Sequence, residues 1–400
     1  MSRRPEPTLF YVVDWLPPDF GAVGQYAGQY ATELARAGRR VCLIGLTSGT
    51  GRRTDFAFGA GALETVRLPA ASYDKSRFVD RLAWTLSVCA RLLWEVVRRR
   101  DSYRAELLFT GAPPFFLYFA ALARLIRRVR LTYRITDFYP EVLIAEFGGR
   151  HLLLSLLQRT TWWLRQRVVA RFEVLGLDQR RILIDGGIDA DRIVLRREAS
   201  PVAVTGSEPA VPRPPELANC KVLLYSGNCG VPHEIETVIA GLARHHREGS
   251  GRFGLWLNAI GHNADRLEAR LRDAGVPVAR GRTVPLDQLA GLLMAADAHL
   301  VTLRPQFSGL VLPSKIHACL ATRRPIVFVG PQSSDVHYLC LEGGNAFYRH
   351  VSPGDSAAFA AALERLADCG GMAPSDSPGS FGTVSQPTGT GEIGARAISG

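Results

Sequence analysis

Short apolar runs recur along the chain, each followed by a turn-rich loop and then by apolar positions at helical spacing. Residues 9–13 (Leu-Phe-Tyr-Val-Val) form the first such run, fit for a parallel strand covered on both faces. The loop Pro17-Pro18-Asp19-Phe20-Gly21-Ala22-Val23-Gly24 follows. Tyr26, Tyr30, Leu34 and Ala37 then mark a helix that Gly38 ends, and residues 41–46 are the next strand. The pattern further predicts a helix over 78–100 with a basic end, a strand over 106–110, an apolar helix over 115–126 and a strand over 131–136. The helical stretch 151–172 comes next, then a strand over 172–175 and a short helix and strand within 181–196.

Residues 199–219 hold five prolines among Ser, Thr, Gly and Glu without periodicity, which reads as a linker. Alternation then resumes. Strands are predicted over 222–225, 253–260, 276–280, 298–302 and 326–329, and helices from near 234 and over 264–274, 286–296, 313–321 and 356–367. Repeated βα units imply an α/β fold of two doubly wound, Rossmann-like domains. The expected divisions are residues 1–198, the linker 199–219, residues 220–369 and a disordered tail 370–400 rich in Gly, Ser, Thr and Pro.

Charge sharpens this picture. Residues 1–199 carry 31 Lys and Arg against 20 Asp and Glu, a net +11, whereas residues 200–400 carry 17 of each. A basic first half calls for an anionic partner, and no nucleic-acid-binding motif is present. In 151–172, leucines and the pair Trp162, Trp163 mix with Arg159, Arg165, Arg167 and Arg171. That composition suits a helix in a lipid headgroup layer, or a core helix with a solvated basic edge. The seven cysteines form no C-x-x-C pair, and no signal-peptide core opens the chain, so a reduced, cytoplasmic protein is expected, docking on the inner face of the plasma membrane where an anionic surface is the partner.

Three strand-end loops carry the candidate chemistry. In the first half, Asp137 follows a strand end within Asp137-Phe138-Tyr139-Pro140-Glu141, placed for a site or as a cap for the next helix. In the second half, Ser226-Gly227-Asn228-Cys229-Gly230-Val231-Pro232-His233 and the stretch from Gln306 through Ser308, Gly309 and Leu310 to Ser314 and Lys315 each join a strand to a helix. Such junctions point free N–H groups and a helix dipole at anions. Lys315 is one of only three lysines beside 45 arginines, so a lysine at a helix start suggests a compact ammonium for phosphate; a solvated lysine in an ordinary turn is the other reading.

These loops resemble those of the family 4 glycosyltransferases of GT-B fold, above all the bacterial members that build capsule, O-antigen and exopolysaccharide. The likeness runs over about residues 8–368 and rests on the Pro17–Ala22 loop, the Asp137 loop, Tyr225-Ser226-Gly227-Asn228 and Gly309-Leu310-Val311-Leu312-Pro313-Ser314-Lys315. The resemblance implies two domains facing a central cleft, with a nucleotide-sugar on the second and a lipid-linked or saccharide acceptor on the first. It implies retaining transfer without metal or other cofactor. Gly21, Ala22, Ser226, Gly227, Asn228, Gly230, His233, Gln306, Ser308, Gly309, Leu310, Ser314 and Lys315 would meet the donor, with Asp137 and Lys315 in catalytic roles and His233 and Lys315 as the cations. Departures are visible. Gly21-Ala22 stands where many members have Gly-Gly, and Gln306 and Ser314 stand where many have a pair of glutamates. A non-catalytic partner subunit of this fold and a nucleotide-sugar 2-epimerase are the alternatives.

Overall fold

The computed structural model describes residues 8–368 except 20–21, 72–77, 112, 149–150, 210 and 282–283. Gly21, Cys369 and the tail 370–400 lie outside the described residues, and Ala22 is described only as the first residue of a helix. The first unit runs β1 (Leu9–Trp15), α1 (Ala22–Arg36), β2 (Arg40–Thr47), β3 (Arg52–Phe58), β4 (Gly61–Pro69), α2 (Phe78–Val97), β5 (Glu106–Thr110), α3 (Phe116–Arg127), β6 (Arg130–Ile135), α4 (Glu141–Phe147), α5 (Leu152–Arg167), β7 (Arg171–Val174), α6 (Leu177–Asp185) and β8 (Ile193–Leu195). The second runs β9 (Lys221–Asn228), α7 (Glu236–Glu248), β10 (Phe253–Ile260), α8 (His262–Asp273), β11 (Val278–Arg280), α9 (Leu286–Met294), β12 (Ala298–Thr302), α10 (Lys315–Ala321), β13 (Ile326–Val329), α11 (Asp335–Glu342), β14 (Tyr348–Val351) and α12 (Ser356–Asp368).

The first sheet has the order β3-β4-β2-β1-β5-β6-β7-β8 and the second β11-β10-β9-β12-β13-β14. Every pairing is parallel except the β3–β4 hairpin. Continuous apolar strands demand cover on both faces. Accordingly β1 is central in its sheet, and Leu9 through Val13 are all buried. The two units also share a core. Val142 of α4 packs in one buried cluster with Leu303, Phe307, Ile316 and Val336 of the second unit. The 199–219 connection is largely irregular, yet it is anchored: Leu217, in a short 3-10 turn, is fully buried under the second sheet.

The pattern of apolar positions misses four elements. β3 and β4 went unpredicted because β3 is an edge strand whose residues (Arg-Arg-Thr-Asp-Phe-Ala-Phe) are mostly exposed and polar. α11 and β14 are short and flank Gly343-Gly344, so no full period develops. In the 151–172 stretch, one arginine and one tryptophan belong to the core. Arg165 is fully buried, 2.7 Å from Glu141, with its guanidinium stacked on Trp162 and Phe138. Trp162 turns inward against Gly186, where an added Cβ would lie 2.3 Å from its ring. Of the tryptophan pair, Trp163 alone faces out, beside exposed Leu152, Leu153 and Leu156.

Candidate functional site between the two sheets

On the second unit the site is built from the C-terminal ends of β9 and β12. β12 leads through a 3-10 turn (Pro305–Phe307) to Gly309, whose φ is +73°, and on to Lys315, the first residue of α10. Lys315 is partly exposed as a residue, but its Nζ is withdrawn from water and finds no hydrogen-bond partner among the described residues. The ammonium sits 3.3 Å from the centroid of the Tyr225 ring. Burial pulls its pKa from 10.5 down to about 7, with the Cys229 and Cys319 thiols opposing the shift. Cation–π contact alone does not replace the hydration an ammonium loses. A solvated lysine is thus ruled out, and an unspent cation is left facing the Gly227 turn. Gly227 has φ +111°, and a Cβ there would stand 3.9 Å from Cε of Lys315.

His233 differs from its expected role. Its Nδ1–H donates to the Thr302 carbonyl at 2.9 Å, and its ring meets Tyr225 edge-on. Burial, reinforced by Lys315, holds its pKa down at about 3. The imidazole is neutral at physiological pH, so Lys315 and not His233 supplies positive charge here. The phenol of Tyr225 donates to the Asn228 carbonyl at 3.1 Å, and Asn263 donates to the Gly230 carbonyl at 2.8 Å. These bonds hold the loop after β9. Ser226 is half-buried at the end of that strand.

The loop before α10 is held by the first unit. Phe138 N–H donates to the Leu310 carbonyl at 2.9 Å, and Asp137 forms an antiparallel bridge with Val311. Gly309 lies against the start of α6, where a Cβ would stand 3.3 Å from the Asp178 backbone, and its N–H opposes the rise that burial gives the Asp178 pKa; the Leu310 N–H donates to the Phe307 carbonyl. The Leu310 N–H is therefore committed to the protein and is not turned to an anion. Ser308 Oγ pairs with Ser333 Oγ at 3.3 Å, and Gln306 is exposed. Ser314 precedes α10 but makes no capping bond with its side chain; its carbonyl accepts from Tyr26 Oη at 3.4 Å.

Opposite this wall stand carboxylates. Asp137 follows β6, and burial raises its pKa to about 7, with the charges of Asp14 and Glu198 adding to the shift. Asp14, near the end of β1, is raised to about 6 by burial, and its Oδ1 is enclosed without a partner among the described residues. Glu198 is raised to about 7 by burial, opposed by Arg134 at 3.4 Å. Arg134 also pairs with Glu173 at 3.0 Å. The sequence-based site omits Asp14, Arg134 and Glu198. Asp14 carried the same signal as Asp137, a carboxylate at the carboxyl end of a parallel strand. Glu198 carried none, since it comes from the connection after β8.

No protein-family model matches the chain, and no curated protein matches it. Solved structures do. Sucrose-phosphate synthase from Thermosynechococcus elongatus is 14% identical with a TM-score of 0.63, covering 91% of this chain and 90% of that one. An alpha,alpha-trehalose-phosphate synthase (UDP-forming) from Burkholderia vietnamiensis is 14% identical, with a TM-score of 0.58 and coverage of 91% and 92%. Anabaena HepE, solved with UDP and glucose, is 14% identical with a TM-score of 0.59, covering 91% and 90%. At that identity the likeness concerns the fold, and over nine-tenths of its length this chain has the two-unit GT-B fold.

Proposed function

We propose that the chain is a glycosyltransferase that moves a sugar from a nucleotide-sugar donor on the second unit to a hydroxyl-bearing acceptor on the first. The observation that carries this reading is the Lys315 ammonium, buried, unpartnered and facing the Gly227 turn. A nucleoside diphosphate is the ligand such a group suits, since its leaving oxygen gains charge as the bond to the sugar breaks. In this reading the anomeric carbon leaves the diphosphate oxygen and bonds to the acceptor oxygen with retention. Asp137 accepts the hydrogen bond of the acceptor hydroxyl and orients it. Lys315 meets the diphosphate, and no metal is required. The fold neighbours include HepE, solved with UDP and glucose, which favours a uridine nucleotide among the donors to try first.

The acceptor is proposed to be lipid-linked, met at a membrane surface. No described helix is long and apolar enough to cross a bilayer. Yet α5 exposes Leu152 (85%), Leu153, Leu156 and Trp163, and the neighbouring α3 exposes Leu122, Leu125 (80%) and Ile126. The two helices are joined by Tyr118 Oη, 2.8 Å from Thr160 Oγ1. Exposed Arg124, Arg128, Arg159 and Arg167 fringe these side chains. Apolar insertion and attraction to anionic headgroups would act together, at about 1 kcal/mol per basic residue.

A thermal-shift panel of UDP-, GDP- and dTDP-sugars is the first experiment, because a ligand that binds the folded chain raises its melting temperature. Donor consumption is then followed with and without acceptor. Stabilisation by one nucleotide and acceptor-dependent turnover are expected. Conversion of donor without acceptor would give the epimerase reading, and binding without turnover the partner-subunit reading. Flotation on anionic and neutral liposomes tests the membrane. Equal failure on both at low salt would replace the lipid-linked acceptor with a soluble one.

A further inference from the structure

The first turns of α6 and α11 meet across the boundary between the two units. Leu177 N–H, at the start of α6, donates to Asp335 Oδ1 at 2.9 Å. Asp335 N–H, at the start of α11, donates to Asp178 Oδ2 at 2.9 Å. Each helix thus receives a capping carboxylate from the other unit. Asp178 Oδ1 also accepts from Gln179 N–H at 2.7 Å, and Gly309 packs against the same residue, where a Cβ would lie 3.3 Å from the Asp178 carbonyl. On the second unit, Ser334 Oγ accepts from Val336 N–H. α6 begins instead with Gly176, which has no side chain to offer, so Asp335 fills the missing role.

The fit is close. A Cβ on Gly176 would lie 2.7 Å from the Asp335 Cβ and 2.6 Å from Asp178 Oδ1. A Cβ on Gly309 would lie 2.6 Å from Ile182 Cδ1 of α6. Asp335 is fully buried, an unusual place for a carboxylate unless partners hold it. Arg197, after β8, supplies a counter-charge at 3.1 Å and pairs also with Glu342 of α11. The contacts therefore combine two crossed hydrogen bonds, a bridging arginine and two glycines that leave room for the approach.

We propose that Asp178 and Asp335 form a reciprocal clasp that locks the loop 308–312 onto the first unit, and that both are positioning residues for the site. The second half of this statement rests on the transferase reading; the clasp itself does not. With the start of α6 held by the clasp, Asp178 and Ile182 seat Gly309 and so fix the register of the Phe138–Leu310 and Asp137–Val311 contacts. Those contacts set the Asp137 backbone against the loop that leads to Lys315. Neither aspartate needs to touch donor or acceptor to do this.

Hydrogen exchange at the Phe138 amide reads the clasp in the ligand-free full chain. That amide bonds Leu310 and touches neither aspartate. Asp335→Ala removes an acceptor from a buried N–H, a loss that should speed exchange at Phe138 by on the order of tenfold. Gly176→Ala keeps every charge and should do the same by steric displacement of Asp335. Asp335→Asn keeps one acceptor oxygen and should stay near the wild-type rate. Unchanged Phe138 exchange in both Asp335→Ala and Gly176→Ala would overturn the clasp. The positioning role is read by titrating UDP, which should bind about tenfold more weakly to Asp335→Ala and normally to Asp335→Asn. Equal UDP affinity in all three proteins would overturn that role. Where GDP or dTDP and not UDP stabilises the wild type, that nucleotide is titrated instead; if none of the three binds, the transferase reading falls while the exchange result still decides the clasp.

Discussion

Replacing Lys315 by Met separates stability from function in opposite directions. Burial brings the Lys315 pKa from 10.5 to about 7. Each unit of such a shift corresponds to about 1.4 kcal/mol. In the unfolded chain the ammonium keeps its proton up to about pH 10.5; in the folded chain it releases it near pH 7. Between those values the unfolded state binds more protons, so stability rises with pH across the window and is lowest below pH 7. Below pH 7 the full shift corresponds to about 5 kcal/mol against the fold; at pH 7.5 about 4 kcal/mol of it remains, and water reaching the site reduces that to about 2–4 kcal/mol. Met has similar length and no charge to desolvate. Ligand-free Lys315→Met is therefore expected to be more stable than wild type by that amount in urea unfolding at pH 7.5. Its stability should lose the rise between pH 7 and pH 10. A bound diphosphate reverses the sign for the wild type. An anion beside the ammonium restores the proton, so UDP binding at pH 8 should take up part of a proton. Calorimetry in two buffers of different ionisation enthalpy measures that uptake directly. In Lys315→Met the uptake should vanish and affinity should fall tenfold or more, the worth of one charge-assisted contact of about 1.5–3 kcal/mol. A destabilised mutant that still binds UDP with the same buffer dependence would remove Lys315 from the anion site.

Asp137→Asn should slow transfer while leaving UDP affinity intact, and the wild-type rate should climb as pH rises through about 7, where the carboxyl ionises; a mutant that keeps the same limb shows that another group titrates. Because that pKa is raised, the Asp137 contribution to stability is greatest at low pH and is lost as pH rises from about 4 to about 7, a slope that Asp137→Asn should flatten in thermal unfolding. Arg165→Ala should cost about 3–5 kcal/mol by leaving Glu141 buried without its partner, and Arg165→Met with Glu141→Leu should recover most of the loss in urea unfolding; a double mutant as unstable as the single one would place the value of Arg165 in packing instead. Gly241→Ala should cost about 1–3 kcal/mol, since a Cβ there would press to 2.5 Å from the Phe359 ring where α12 crosses α7; an unchanged urea midpoint would mean that Phe359 moves freely.

The two sheets were legible because burial on both faces forces near-continuous apolar strands, and the strands over 253–260, 298–302 and 326–329 stand where that pattern puts them. Edge elements escaped for the converse reason. β3 is solvated and β14 half-buried, and neither has to be apolar. The site divides along the same physical line. Lys315 could be singled out because a lysine is rare here and stands at a helix start, both properties of local sequence. What makes it an anion site in waiting, the empty hydrogen-bonding shell over Tyr225, depends on residues about 90 positions earlier and could not be read locally. Gly309 shows the limit most clearly. In the sequence it reads as a glycine that lets backbone approach a ligand. In the structure the space where its Cβ would be belongs to Ile182 and to the Asp178 backbone. A glycine in a strand-to-helix loop states that something comes close, and only the fold states what. Here that something is the other half of the protein, so the loop that would carry the donor is also a surface on which the two units meet, and a residue that loosens the proposed clasp is expected to alter the donor site with it.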